Sequence, residues 1–393
     1  MDFSYTKDEM EFSKKLNIFL DKEMTEEIAR QNWEDLGVGA EAREFSRKLA
    51  AFGFLGMSWP KKYGGKGLSP TYDFILLDEL GKRWGAHVPL DVGYTMVGPT
   101  ILRRGSEELK KEFIPRIIEG EIEFCLGYTE PDAGSDLASL MMEAVEDGDD
   151  YIINGQKTFN TECHYSEYHW LAVKTDLNSD VPKHKSITLF VVDMDTPGVT
   201  VRPMMTMSGE QTNEVFYDNV RVPKTRIVGE KNKGFYYVME AIASERNQVF
   251  IPARLLPIHN EMIQHVKETE YNGKPLAKDS LVREKLAQTT IELEIAGVLA
   301  DHSRWLESND MPLTYEPEVT KLFISEAEQR LANNAMEILG LSGQLLEGSK
   351  YVPIRGRVAW EWLHSFMTTL GGGTSEVGRS VIAQRGLGLP RSF

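Results

Sequence analysis

The hydrophobic period of this chain changes twice along its length, and that change limits the folds open to it. From Thr6 to Gly120 the apolar residues recur with helical spacing: Phe12, Leu16, Phe19 and Leu20 form an i, i+4, i+7, i+8 stripe, and Thr6 with Glu9 has the pattern of a capping box. Between about Glu121 and Gly234 the pattern shortens to strand-like runs. These are Tyr151 to Ile153 before an Asn154-Gly155 turn, Ile187 to Val192, Val199 to Val201, and Val220 to Val222 before Pro223. After Gly234 the helical spacing returns, with Ile291, Ile295, Val298 and Leu299 on one face, as core or interface, and Leu331, Ala335, Ile338 and Leu339 on another. Long helices of this kind pack as a bundle. The expected class is α+β, with an N-terminal helical domain over 1–120, a middle β domain over 121–233 and a C-terminal helical domain over 234–393.

Composition narrows the function classes. A formal charge of −16 without a basic run argues against nucleic acid, whose binding depends on dense Lys and Arg. Cys125 and Cys163 are the only cysteines, too few for a disulfide framework or a zinc cage, which suits a reducing compartment. The first ten residues are charged and no uncharged run reaches the roughly 20 residues of a membrane span, so the expected setting is cytoplasmic, without membrane insertion. The eight histidines show no metal spacing; His164 and His169 lie five apart near Cys163 and Glu167, and no metal is expected. Tyr63-Gly-Gly-Lys-Gly67 lacks the spacing of a phosphate-binding loop and reads as a turn after Trp59-Pro60.

Two distant segments carry the chemistry, Gly127-Tyr-Thr-Glu-Pro-Asp-Ala-Gly-Ser-Asp136 and Gly371-Gly-Gly-Thr-Ser-Glu376, together with Ser244-Glu245-Arg246. With Asn154-Gly-Gln-Lys157, Phe159, Thr161 and the run Asn213 to Pro223, they make the chain resemble the acyl-CoA dehydrogenase family over essentially its whole length. The ending Arg379…Gly-Leu-Gly-Leu-Pro-Arg391 resembles a subgroup that handles bulky, branched, ring and steroid side-chain thioesters. The resemblance implies a middle β-barrel, a C-terminal four-helix bundle, bound FAD and α,β-desaturation of an acyl-CoA. In that reaction a base removes the α-proton while the β-hydrogen leaves as hydride, so both groups must flank the same two carbons.

The resemblance also implies roles. Many members carry the base directly before Gly-Thr; that position is Gly372, without a side chain. Others carry it a dozen residues after a Gly-Phe pair, and here Gly234-Phe235 is followed by Glu245, the expected base. Gly372 still has a main-chain N–H for the thioester oxygen. Thr129 matches the position that meets the flavin pyrimidine edge, beside the backbone of Leu126 and Tyr128. Phe159 stands where many members have a Trp against the ring, and Thr161 offers a hydroxyl near N5. Thr374 and Glu376 fall with the cofactor, Ser135 with cofactor phosphate or substrate pantetheine, and Arg246 with substrate. The implied acceptor is an electron-transfer flavoprotein, and the implied assembly a homo-oligomer or a hetero-oligomer with a homologous chain. The same residues would serve an enoyl-CoA reductase running in reverse, and a partner-subunit role is the reading from another class.

Three departures touch the cofactor's tail. The family's Arg-x-x-Phe-Gly loop reads Glu268-Thr-Glu-Tyr-Asn-Gly-Lys274, the Gln after Thr-Ser-Glu-hydrophobic is Gly378, and the Gln-hydrophobic-aromatic-Gly-Gly stretch is Glu337 to Leu341. Lys274 could supply the missing charge, or a homologous chain could complete that end.

Overall fold

The structure is a computed structural model and describes residues 1–25, 27–29, 39–83, 92–248 and 252–390. It has an N-terminal helical part, a middle β domain and a C-terminal helical domain, in the order that the hydrophobic period implies. Contacts gather the chain into two compact units, one of Met1–Trp33, Pro70–Val88 and Arg246–Phe393, the other of Glu34–Ser69 and Pro89–Glu245. The N-terminal helices are thereby shared between them.

In the first unit, α1 (Lys7–Glu23) opens with the expected capping box: Thr6 Oγ1 accepts from Glu9 N, and the Glu9 carboxylate accepts from Thr6 N at 2.7 Å. This helix buries Leu16, Phe19 and Leu20 and packs on α3 (Thr71–Gly81). The C-terminal helices are α7 (Leu256–Glu268), α8 (Ser280–Ser308), α9 (Glu316–Leu339), α10 (Arg357–Thr368) and α11 (Ser375–Val381). Their shared core contains Leu293, Ala296, Ile324, Leu331, Ala335 and Leu339, so the second sequence stripe lies inside. The first does not: Ile291, Ile295 and Val298 are exposed on α8, whose buried side carries Leu293, Ala296 and Ala300 instead. Both stripes share the helical period, and period alone does not tell which side of a long helix meets its neighbours.

The second unit is built on a seven-stranded sheet of β1 (Phe124–Gly127), β2 (Glu143–Asp147), β3 (Asp150–Lys157), β4 (Tyr168–Lys174), β5 (Ile187–Asp193), β6 (Val199–Met205) and β7 (Gln211–Pro223). The order is β1-β4-β2-β3-β7-β6, with β5 on β4. Strand β1 runs parallel to β4, pairing Leu126 with Trp170 and Gly127 with Leu171. Asn154-Gly155 is not the expected turn. It lies inside β3 opposite a bulge in β7: Asn154 alone stands between the paired residues Ile153 and Gly155, whereas Asp218 and Asn219 stand between their partners Tyr217 and Val220, and Gly155 takes φ 136°. A turn dipeptide and this strand position make the same demand on the backbone, a positive φ that glycine meets without strain; the chain reverses earlier, at Gly148.

Helices α2 (Ala40–Ala51), α4 (Gly98–Arg104), α5 (Glu107–Ile118) and the part of α6 (Gly234–Gln248) up to Glu245 belong to this unit. Trp59 stacks on Tyr94 at 4.9 Å, and a Cβ on Gly98 would lie 2.2 Å from the Trp59 indole, so only glycine lets α4 approach. The Tyr63 to Gly67 segment is the expected turn, closed by Gly67 N donating to Trp59 O at 2.8 Å. Among the described residues no helix is long and apolar enough to cross a membrane.

Candidate active site

The proposed functional residues fall into two groups, one in each unit. The first surrounds the end of β1. Main-chain carbonyls there are held by two side chains and one main-chain N–H from the end of β3 and the loop after it. Asn160 Nδ2 donates to Leu126 O at 2.5 Å, Lys157 Nζ to Tyr128 O at 3.1 Å, and Thr158 N to Thr129 O at 2.9 Å. Lys157 is fully buried and donates also to Glu130 Oε1 at 2.8 Å. Burial pushes its pKa down to about 8, against the pull of the Glu130 carboxylate. Glu130 in turn accepts from Met141 N at 2.6 Å and Met142 N at 3.0 Å, which ties the base of the loop bearing the exposed Ser135.

Phe159 follows directly, at φ 57° and 64 % exposed. A bulky residue in the left-handed region costs of order 1–3 kcal/mol and marks a site the surroundings impose. Core packing does not explain it. Its neighbour Asn160 is held by reciprocal contacts with Asn213, N to O at 2.9 Å and Nδ2 to O at 2.8 Å, and the Thr161 and Thr212 hydroxyls lie 3.4 Å apart. The Tyr128 hydroxyl is buried beside the Trp170 indole N–H without a well-aligned hydrogen bond, and burial with the Glu245 charge raises its pKa. An exposed aromatic ring on a segment whose neighbouring main chain is pinned offers an apolar face on which a flat ring can stack. Glu245 is half-buried on α6, and the residue before it, Ser244, donates from Oγ to Thr95 O at 3.2 Å in the π-helical turn Gly93–Val97.

The second group is the glycine segment before α11. Gly372 and Gly373 have φ 63° and 104°, and the Thr374 hydroxyl caps α11 by accepting from Val377 N at 3.2 Å. Arg246 donates to Gly372 O from Nε at 2.9 Å and Nη2 at 2.6 Å, and pairs through Nη1 with Glu318 at 3.0 Å. Lys321, also buried, donates to Gly373 O at 2.5 Å. Glu376 is an exposed carboxylate that its own backbone N–H and the Thr374 hydroxyl hold below the usual range.

The sequence matches family descriptions for the acyl-CoA dehydrogenase N-terminal domain over residues 6–121, the middle domain over 125–220 and the C-terminal domain over 232–387. The chain belongs to the acyl-CoA dehydrogenase family. It is thus an oxidoreductase of a flavoprotein family whose cofactor is FAD. It is 34% identical over 400 residues to acyl-CoA dehydrogenase FadE26 of Mycobacterium tuberculosis, covering 100% of both chains. Among solved structures it is similar to a Tcur3481-Tcur3483 steroid ACAD, at 32% identity, TM-score 0.90 and 100% coverage of both chains. A second is the ChsE4-ChsE5 complex from Mycobacterium tuberculosis, at 34% identity, TM-score 0.88 and 100% coverage of both.

Sequence reasoning about this dehydrogenase missed the residues behind both groups: Lys157, Glu130 and Asn160 in one, Lys321 and Glu318 in the other. For Lys157 the alternation of β3 contains the signal, because it lies four residues after Ile153 and six after Tyr151, in the same inward phase. On α9 the row Glu318, Lys321, Ser325 and Glu328 has one-face spacing and would read as a solvated side, yet all four are buried.

Proposed function

We propose that this dehydrogenase introduces an α,β double bond into a bulky acyl-CoA, branched, cyclic or steroid-like, with Glu245 as the base for the α-proton. The Glu245 carboxylate takes the proton and becomes a neutral acid, while the Gly372 N–H meets negative charge developing on the thioester oxygen. Bound FAD supplies the acceptor for the β-hydrogen, which leaves as hydride. The hydroxyls of Thr129 and Thr161, the Phe159 ring and the main chain of Leu126 and Tyr128 hold the flavin. Ser135 and the Thr374 to Glu376 segment contact the rest of the cofactor, Ser135 reaching substrate as well.

The observation that carries this reading is the exchange between Gly372 and Glu245: one family base position has no side chain, and the other has a half-buried glutamate on a helix anchored at Ser244. The substrate class is supported by the similar structure named as a steroid ACAD. Both similar structures are named for two chains, which supports a hetero-oligomer with a homologous partner; the intact Glu245 favours this chain as the catalytic one. The electron acceptor in this reading is an electron-transfer flavoprotein.

The test is an absorbance spectrum of the purified chain and an anaerobic titration with linear, branched, cyclic and steroid-like acyl-CoAs, on wild type and Glu245→Gln. Bleaching by one bulky class, lost in the variant, is expected. Bleaching unaffected by the substitution would remove Glu245 as base, and a colourless chain that turns yellow only with a partner would favour the subunit role.

A further inference from the structure

The loop Gly371 to Ser375 has an unusual division of its main-chain groups. Gly371 N donates to Met367 O at 2.8 Å and Ser375 N to Thr369 O at 3.0 Å. Between them, the N–H groups of Gly372, Gly373 and Thr374 have no protein acceptor among the described residues. The carbonyls of the same stretch are held firmly, Gly372 O by two nitrogens of Arg246 and Gly373 O by Lys321.

A trans peptide directs its C=O and N–H to opposite sides. Holding Gly372 O therefore turns the Gly373 N–H away from Arg246, and holding Gly373 O turns the Thr374 N–H away from Lys321. Gly372 and Gly373 both have positive φ, 63° and 104°, a backbone conformation that glycine adopts without strain. The charges add a second effect. Arg246 and Lys321 are both cations, and a cation at a carbonyl oxygen polarises that peptide and strengthens its N–H as a donor.

We propose that Arg246 and Lys321 are positioning residues, which clamp the carbonyls of Gly372 and Gly373 so that the main chain of Gly372 to Thr374 presents a fixed set of donors to the carbonyl oxygen of an acyl thioester. Arg246 thus acts behind the loop instead of touching substrate. The inference rests on the reading of this loop as the thioester-oxygen site, and it adds Gly373 and Thr374 N–H to that of Gly372.

The test compares two ligands on flavin-loaded protein: cyclohexanecarboxyl-CoA and S-cyclohexylmethyl-CoA, a thioether with CH2 in place of the carbonyl. Wild type is expected to bind the thioester more tightly. In Lys321→Met and Arg246→Lys that preference falls toward one, because thioester binding weakens and thioether binding does not. Turnover falls by about tenfold or more, since losing a single oxyanion donor costs roughly 10²–10³ and a displaced donor less, whereas Lys321→Arg, which keeps a cation at Gly373 O, recovers part of the preference. Equal weakening of both ligands, a preference unchanged in the variants, or a wild type that does not prefer the thioester would each overturn the proposal. Glu245→Gln measured alongside separates the two readings: it abolishes turnover if Glu245 is the base, and leaves the thioester preference in place because that preference is read from binding alone.

Discussion

Lys157 and Glu130 form a buried ion pair, Nζ to Oε1 at 2.8 Å, directly behind the main chain of Tyr128 and Thr129. The pair links the last residue of β3 to the loop that follows β1, and both ends make further main-chain contacts. Removing one partner leaves an uncompensated buried charge, typically worth 3–5 kcal/mol. Lys157→Met is therefore expected to destabilise the protein by about that amount, at the low end because the Glu130 carboxylate keeps two backbone donors. Flavin content should fall with it. Chemical denaturation and the ratio of flavin to protein absorbance check both.

Phe159 should behave in the opposite way. Its ring is exposed and its backbone left-handed, so Phe159→Gly loses little packing and relieves strain. The expected result is a flavin-free protein as stable as wild type or more stable by about 1 kcal/mol, with weaker flavin affinity. Fluorescence titration of the apoprotein with FAD, beside thermal melts, measures the two effects separately.

At Gly373 the backbone has φ 104°, and an added Cβ would lie 2.7 Å from Arg246 Nη2. Gly373→Ala is expected to strain the loop by about 1–3 kcal/mol and displace the guanidinium. Turnover should drop by at least tenfold, because small misplacements of donor groups are costly to rate, while the melting temperature changes by only a few degrees. Steady-state kinetics with the best acyl-CoA of the panel reads the first and calorimetry the second.

Glu328 gives a pH signature. It lies fully buried on α9, paired with Arg254 and near Glu361 and His364, and burial raises its pKa to about 7, with Glu361 raising it further and Arg254 opposing. A carboxyl that binds its proton more tightly folded than unfolded contributes stability present below the unfolded value near 4.5 and lost as pH rises through about 7. The melting temperature is thus expected to fall between pH 5 and 7.5, and Glu328→Gln to flatten that fall. A slope identical in wild type and variant would assign the effect to other groups, including the overall negative charge.

Much of the architecture was legible in the sequence because it depends on local repetition. The 3.6 and 2 periods distinguish helical from strand regions, the Thr6 to Glu9 cap is decided within four residues, and the Tyr63 to Gly67 turn needs only its own glycines. The candidate positions Thr129, Phe159, Glu245 and Gly372 are singled out by a different route, the resemblance of their motifs to those of the acyl-CoA dehydrogenases. The strand position of Asn154-Gly155, opposite a bulge in β7, and the outward stripe on α8 could not be read from the sequence, since each depends on which neighbour lies alongside.

By itself, then, the sequence determined the order of helical and strand regions, the absence of a side chain at Gly372 and the presence of a carboxylate at Glu245. Tertiary structure alone decided what stands behind the candidate site: Lys157 on the Tyr128 carbonyl, Asn160 on that of Leu126, and Arg246 and Lys321 on those of Gly372 and Gly373. Arg246 and Gly372 are separated by 126 positions, and the cost of bringing such distant groups together is met by the packing of whole helices, not by any local preference. A buried cation has the same letters as a solvated one; only the fold, by removing water from Lys157 and Lys321, makes a main-chain carbonyl the partner each must find.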